Sequence, residues 1–154
     1  MSRRILALSA LLPALAFPSM ARASDASLSH ALSSYKVTLT VDIIFLAEDR
    51  TVPTKATAGS LASKLSRVQS DMSTVARVAR GQKASTSSGR KAQSEALSGF
   101  ADASASAADG LAAVAAVRAG KSSTAKSDIA AAQSEIAKSI PDFEASGKLL
   151  GLFS

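Results

Sequence analysis

Residues 61–79 read LASKLSRVQSDMSTVARVA and have the clearest periodicity in the chain. The apolar residues of this stretch recur at alternating intervals of four and three, a spacing that places them on one face of an α-helix. These residues are Leu61, Leu65, Val68, Met72, Val75 and Ala79. Serine, lysine and arginine fill the other face, so one side of this helix suits a core and the other suits water. An all-helical protein is therefore the first expectation.

Two looser apolar stripes follow, and they predict helices over about residues 90–119 and 124–140. Gly110 weakens the first stripe, and Gly120 is placed to end that helix. Pro141 is expected to stop or bend the second helix, with a short further helix over 142–151.

The segment before these helices is ambiguous. Residues 35–43 alternate polar and apolar side chains as a strand does, yet residues 28–46 also fit a helical stripe. No second strand candidate occurs, and a lone strand would leave its backbone groups unpaired. We therefore predict a helix over 26–48. The apolar run 43–46 is expected to be the most buried part of the core.

The apolar stripe at 61–79 belongs to a predicted helix over about 56–80. Short polar connections separate the predicted helices. Short loops join antiparallel neighbours, so the predicted fold is an antiparallel up-down four-helix bundle. The bundle would form one domain over residues 24–154, a normal domain length.

The first 23 residues have the pattern of a cleavable signal peptide. A basic head ends at Arg4, an apolar run covers residues 5–17, and small residues at Ala21 and Ala23 suit a signal peptidase. The run is too short to cross a bilayer, which takes about 20 apolar residues. We expect an exported protein, periplasmic or secreted. The general secretory route is favoured over the twin-arginine route that Arg3 and Arg4 weakly resemble.

Removing the signal changes the charge. The mature chain keeps 15 of the 18 lysines and arginines against 12 acids, so its formal net charge falls from +6 to +3. That balance argues against nucleic acid as a partner. The chain is cysteine-free, which excludes thiol catalysis, redox switching and disulfides, so helix packing must stabilise the fold.

One cluster of cations lies in a stretch without acids between Asp71 and Glu95. It consists of Arg77, Arg80, Lys83, Arg90 and Lys91. Cations at a helix C-terminus complement the helix dipole, which explains such a cluster without any ligand. The functional interpretation is a weak contact with an anionic surface such as lipid head groups.

Four apolar residues are predicted to line an internal ligand cavity: Phe45, Met72, Phe100 and Leu111. The single histidine, His30, cannot by itself form a multi-histidine metal site, and no haem motif accompanies it. Two carboxylate pairs, Asp102 with Asp109 and Asp128 with Glu135, each share a helix face and are expected to be solvated. No metal or other cofactor is predicted.

These observations favour a non-enzymatic exported protein that acts by contact with another protein or an envelope component. Two alternatives stay open. One is a carrier of a small apolar ligand held between the helices. The other is an enzyme, which would require at least three polar side chains converging in one pocket, with His30 or a carboxylate of perturbed pKa among them. The sequence leaves the partner and the oligomeric state, including a homo-oligomer, undetermined.

Overall fold

The computed structural model describes residues 25–48 and 51–152, and these residues form five helices. They are α1 (Ala26–Ser34), α2 (Lys36–Glu48), α3 (Ala58–Gly81), α4 (Ser87–Arg118) and α5 (Ser122–Leu149). Within the described ranges no residue is in a strand. The prediction of an all-helical chain is therefore confirmed for them, including the ambiguous segment at residues 35–43. The predicted signal peptide over 1–23 lies outside the described residues.

The predicted helix over 26–48 is interrupted at Tyr35. The Ser34 hydroxyl donates a hydrogen bond to the Ala31 carbonyl at 2.7 Å, the group that the Tyr35 amide would reach in a regular α-helix. The Tyr35 amide donates instead to the Leu32 carbonyl at 3.2 Å. A serine side chain that competes for a backbone carbonyl thus separates α1 from α2.

The longest helix, α4, packs along both α3 and α5. The Ser106 hydroxyl donates to the Ala132 carbonyl at 2.8 Å, and the Phe100 ring lies 5.1 Å from the Phe143 ring, centroid to centroid. Because the earlier residue of α4 meets the later residue of α5, these two helices run antiparallel. The face of α4 toward its neighbours is rich in buried alanine, which allows the helix axes to approach closely.

Gly110, which weakens the apolar stripe of α4 in the sequence, has a packing role in the structure. A Cβ atom at this position would lie 2.9 Å from Cδ1 of Leu65 on α3. The missing side chain therefore makes room for a core leucine of the neighbouring helix, since interiors are close-packed.

By length and composition, α4 could span a membrane. This is weak evidence, because the core helix of a water-soluble bundle passes the same test. In the structure 44% of its apolar window is buried inside the protein, against α3 and α5.

The centre of the core is formed by Leu28, Met72, Val75 and Val114, each no more than 2% exposed. The prediction that the run 43–46 is the most buried part is wrong: only Leu46 is buried, and residues 43–45 are half-buried. The reason is that apolar residues occur on every side of α2. When one side of the helix packs against the core, the apolar residues on its other sides stay partly exposed.

The α4 helix ends just before Gly120, as predicted, whereas α5 does not stop at Pro141, and a bend at this proline stays a prediction. Gly120 has the left-handed φ of 73°, and the next amide, of Lys121, donates back to the Ala116 carbonyl at 2.8 Å. In contrast, α5 continues through Pro141 to Leu149, with no separate helix over 142–151. The contact of Phe143 with Phe100 on α4 holds the segment beyond the proline against the core.

Candidate functional site

A groove between α2 and α3 is the candidate site. The α2 helix contacts α3 only sparsely, and the groove left between them has a volume of about 400 Å³ and is open to solvent. Its lining combines apolar and charged side chains: Val37, Thr38, Val41, Asp42, Phe45, Lys64, Arg67 and Val68.

The α2 side of the groove is an apolar stripe with the i, i+4, i+8 spacing of one helix face. Val37 is 76% exposed and Val41 is 60% exposed, while Phe45 is half-buried. The Lys64 ammonium on α3 lies 5.8 Å from the centroid of the Phe45 ring, within the range of a cation–π interaction. The stripe thus exposes two apolar side chains, Val37 and Val41, to an unusual extent, close to a cation.

The groove also contains a buried carboxyl group. Asp42 is only 6% exposed. Burial, the nearby charge of Asp71 and a hydrogen bond to Asp71 raise the pKa of Asp42 to about 6, while Arg67 acts in the opposite direction. The Asp42 carboxyl is therefore poised to change charge close to neutral pH.

Asp42 and Asp71 form a carboxyl pair across the two helices. Each has a buried Oδ2 atom without a hydrogen-bond partner, and the charge of Asp71 disfavours ionisation of Asp42. The Arg67 Nε atom lies 3.6 Å from Asp71 Oδ2 and partly compensates its charge. The groove lining thus brings three charged side chains together, Asp42, Lys64 and Arg67, and the carboxyl of perturbed pKa is among them. This is the arrangement that the enzyme alternative specifies. His30 is not among the groove residues.

Sequence reasoning missed Asp42, Asp71, Lys64 and Arg67 as site residues. Two signals were present. Asp42 is the only charged residue between Lys36 and Glu48. An acid inside an apolar helix is rarely buried unless it has a partner, so this position called for one. Arg67 and Asp71 have the i, i+4 spacing of a helical ion pair.

The predicted basic cluster lies at the end of the molecule where α3 finishes and α4 begins. All five side chains are exposed: Arg77, Arg80, Lys83, Arg90 and Lys91. Arg80 lies in the last turn of α3, where the helix dipole favours a cation. Arg90 and Lys91 lie near the start of α4, where the helix dipole does not favour a cation. The α4 helix begins at Ser87, inside the loop expected over 81–90. Contact of this cluster with an anionic surface stays a prediction.

Asp25 offsets these cations at the start of α4. Its carboxylate accepts hydrogen bonds from the Thr86 hydroxyl, the Ser85 amide at 3.2 Å and the Thr86 amide at 3.5 Å. The Thr86 hydroxyl bond chiefly lowers the pKa of Asp25, with backbone bonds and Arg90 acting the same way. The Thr86 side chain also accepts from the Gly89 amide at 2.9 Å as the helix N-cap. The first described residue is thus bound to the α3–α4 connection.

The four residues of the predicted ligand cavity occupy different environments. Met72 and Phe100 are buried in the core, with 0% and 2% exposure, and Leu111 is half-buried against it. Phe45 alone among them lines the α2–α3 groove. An internal cavity formed by all four stays a prediction.

The acids of α4 and α5 face one another along the interface between these helices. Burial raises the pKa of Asp109, and the charges of Glu135 and Asp128 raise it further. Burial and Glu135 likewise raise the pKa of Asp102. Glu135 accepts a 2.7 Å hydrogen bond from Lys138. Over residues 25–48 and 51–152, no group of three acids or histidines is arranged to hold a metal ion.

Comparison with protein-family models, with curated proteins and with solved structures finds no match for this chain.

Proposed function

We propose that this chain is an exported, non-enzymatic binding protein whose contact surface is the α2–α3 groove. In this proposal residues 1–23 are a signal peptide that is removed. Residues 24–154 form an up-down four-helix bundle that works in the periplasm or outside the cell. The partner is a protein or another component of the cell envelope.

The observation that carries this proposal is the exposure of Val37 and Val41, at 76% and 60%. Exposed apolar side chains that stand singly are ordinary on protein surfaces. These two lie one helical turn apart and continue into Phe45, so they form one apolar strip beside the cations Lys64 and Arg67. An apolar strip with a polar rim is the usual anatomy of a contact surface.

Site-specific photo-crosslinking in the producing cells tests the proposal. A benzophenone amino acid replaces Val41 in one variant and Ala131, an exposed residue of α5, in the control variant. We expect a discrete crosslinked product from position 41 and none from position 131. Equal products from both positions, or none from position 41, would contradict the groove as the contact surface.

An enzyme is the second candidate, because of Asp42. A carboxyl with a pKa of about 6 beside a second carboxyl and an arginine can serve as a general acid or base near neutral pH. The wild type and Asp42→Asn are compared on chromogenic ester and glycoside substrates. Turnover by the wild type that is lost in the variant would favour the enzyme, and no turnover by either would favour the binding protein.

A further inference from the structure

We propose that the α2–α3 groove binds a single-chain amphiphile with an anionic head group, taken up from solution as a monomer. The inference rests on the proposed function, since it names the ligand class of the same groove. The apolar chain would lie along α2, and the head group would contact Lys64 and Arg67 on α3.

The shape and lining of the groove suit such a chain. Val37, Val41 and Phe45 form a strip two helical turns long on one side, and Val68 completes the apolar lining from α3. The volume of about 400 Å³ lies in the range of about 300–1,000 Å³ typical of small-molecule sites. An alkyl chain can lie along the apolar strip of such an open groove.

The cations that would hold the head group come from adjacent turns of α3. Lys64 contacts the Phe45 ring and has no ion-pair partner within the described part of the chain. The side chain of Arg67 is 79% exposed, so its guanidinium faces solvent even though Nε lies near Asp71. Both cations can therefore donate hydrogen bonds to an anionic group at the rim of the groove.

Asp42 determines whether the groove carries a net charge. With Asp42 ionised, the two acids Asp42 and Asp71 balance Lys64 and Arg67. With Asp42 protonated, the same four side chains carry a net charge of +1.

The pH dependence follows from that charge change. Burial and Asp71 raise the pKa of Asp42 to about 6, and Arg67 lowers it. Among the described residues, no charged group of α1, α4 or α5, the other helices around α2, contributes to this shift. An anionic ligand should thus bind more tightly below about pH 6 than above it.

Titration calorimetry on the mature chain tests the inference with three twelve-carbon probes below their micelle concentrations. Dodecanesulfonate stays anionic at every pH used, dodecyl maltoside is neutral, and dodecyltrimethylammonium is cationic. At about pH 5 we expect one dodecanesulfonate per chain and binding about tenfold or more weaker for the other two probes. The wild type should lose affinity for dodecanesulfonate several-fold by about pH 7.5, and Asp42→Asn should lose none.

Variants locate the site. Replacement of Lys64 and Arg67 together by glutamine should weaken dodecanesulfonate binding about tenfold or more. The matched control is the same double replacement of Arg118 and Lys126, exposed cations of α4 and α5 outside the groove and outside the basic cluster, and it should leave binding unchanged. Val41→Asp should abolish binding of every probe. Far-UV circular dichroism establishes that each variant is folded.

Failure of this inference is distinguishable from failure of the proposed function. Equal affinity for the three head groups overturns the anionic preference and leaves the groove as the contact surface. No binding of dodecanesulfonate, or binding only to anionic vesicles, overturns the inference, while crosslinking from position 41 would still support the proposed function. Unchanged binding in Val41→Asp, with no crosslinking from position 41, overturns both.

Discussion

Replacing Asp42 by asparagine should stabilise the protein at neutral pH and leave its stability nearly unchanged at acidic pH. The side chain is 6% exposed, and its pKa is raised from 3.8 to about 6. Asparagine has almost the same shape, can donate a hydrogen bond to Asp71, and never ionises. The variant therefore removes a buried charge without creating a cavity.

The direction of the effect follows from linkage between protonation and folding. Below about pH 4 the Asp42 carboxyl is protonated in both the folded and the unfolded chain, and it adds no pH dependence. Between about pH 4 and 6 the folded chain holds a proton that the unfolded chain releases, so stability falls as pH rises. Above about pH 6 the full penalty of the buried carboxylate is present.

The size of the effect follows from the shift. A rise from 3.8 to about 6 is about two pKa units, and each unit corresponds to about 1.4 kcal/mol. The largest stabilisation that Asp42→Asn could give is then about 3 kcal/mol. Water entering the open groove and small movements of α2 reduce it, so we expect Asp42→Asn to gain about 1–3 kcal/mol at pH 8.

Urea unfolding followed by circular dichroism at several pH values between about 4 and 8 measures this gain. Carboxyl NMR titration of Asp42 in the wild type and in Asp71→Asn gives an independent check. Removing the neighbouring charge should move the pKa of Asp42 down toward 3.8. A gain that is the same at pH 4 and pH 8, or a wild-type pKa near 3.8, would refute the account of the buried pair.

Three further predictions concern the fold, and urea unfolding midpoints measure each. Pro141→Ala should raise stability by about 1–3 kcal/mol, because Pro141 is exposed inside α5 and lacks the amide that the helix needs; an unchanged or lower midpoint would contradict this. Thr86→Ala should lower stability by about 2 kcal/mol through loss of the α4 N-cap and of the hydroxyl bond to Asp25, whereas Ser88→Ala, an exposed neighbour, should change it little. Met72→Ala should lower stability by about 2–5 kcal/mol, since Met72 is fully buried; a smaller loss would mean that the core collapses around the site.

The sequence predicts those helices whose apolar residues form a clear stripe. Leu65, Val68, Met72 and Val75 are all buried in α3, as the spacing of four and three requires. Gly120 ends α4 for a local reason, its left-handed backbone. Both features depend on residues close together in the chain, which sequence reasoning can evaluate.

Tertiary packing determines the features that the sequence does not reveal. The continuation of α5 beyond Pro141 brings Phe143 against Phe100, a partner more than 40 residues earlier. The helical state of α2 outweighs its strand-like alternation because the four other helices offer it contacts. The groove is equally non-local, since Asp42 and Asp71 come from different helices and only the fold brings them together.

Two features that oppose stability coincide in the first two turns of α2. Val37 and Val41 are β-branched, which makes them weaker helix formers than alanine, and their exposure contributes little burial. Asp42, next to Val41, is buried with a destabilising charge at neutral pH. Alanine or glutamine at the valines and a leucine at position 42 would agree better with a stable helix. Because departures from such local rules concentrate at functional sites, their coincidence on one wall of one groove is a physical reason to place the function of this protein there.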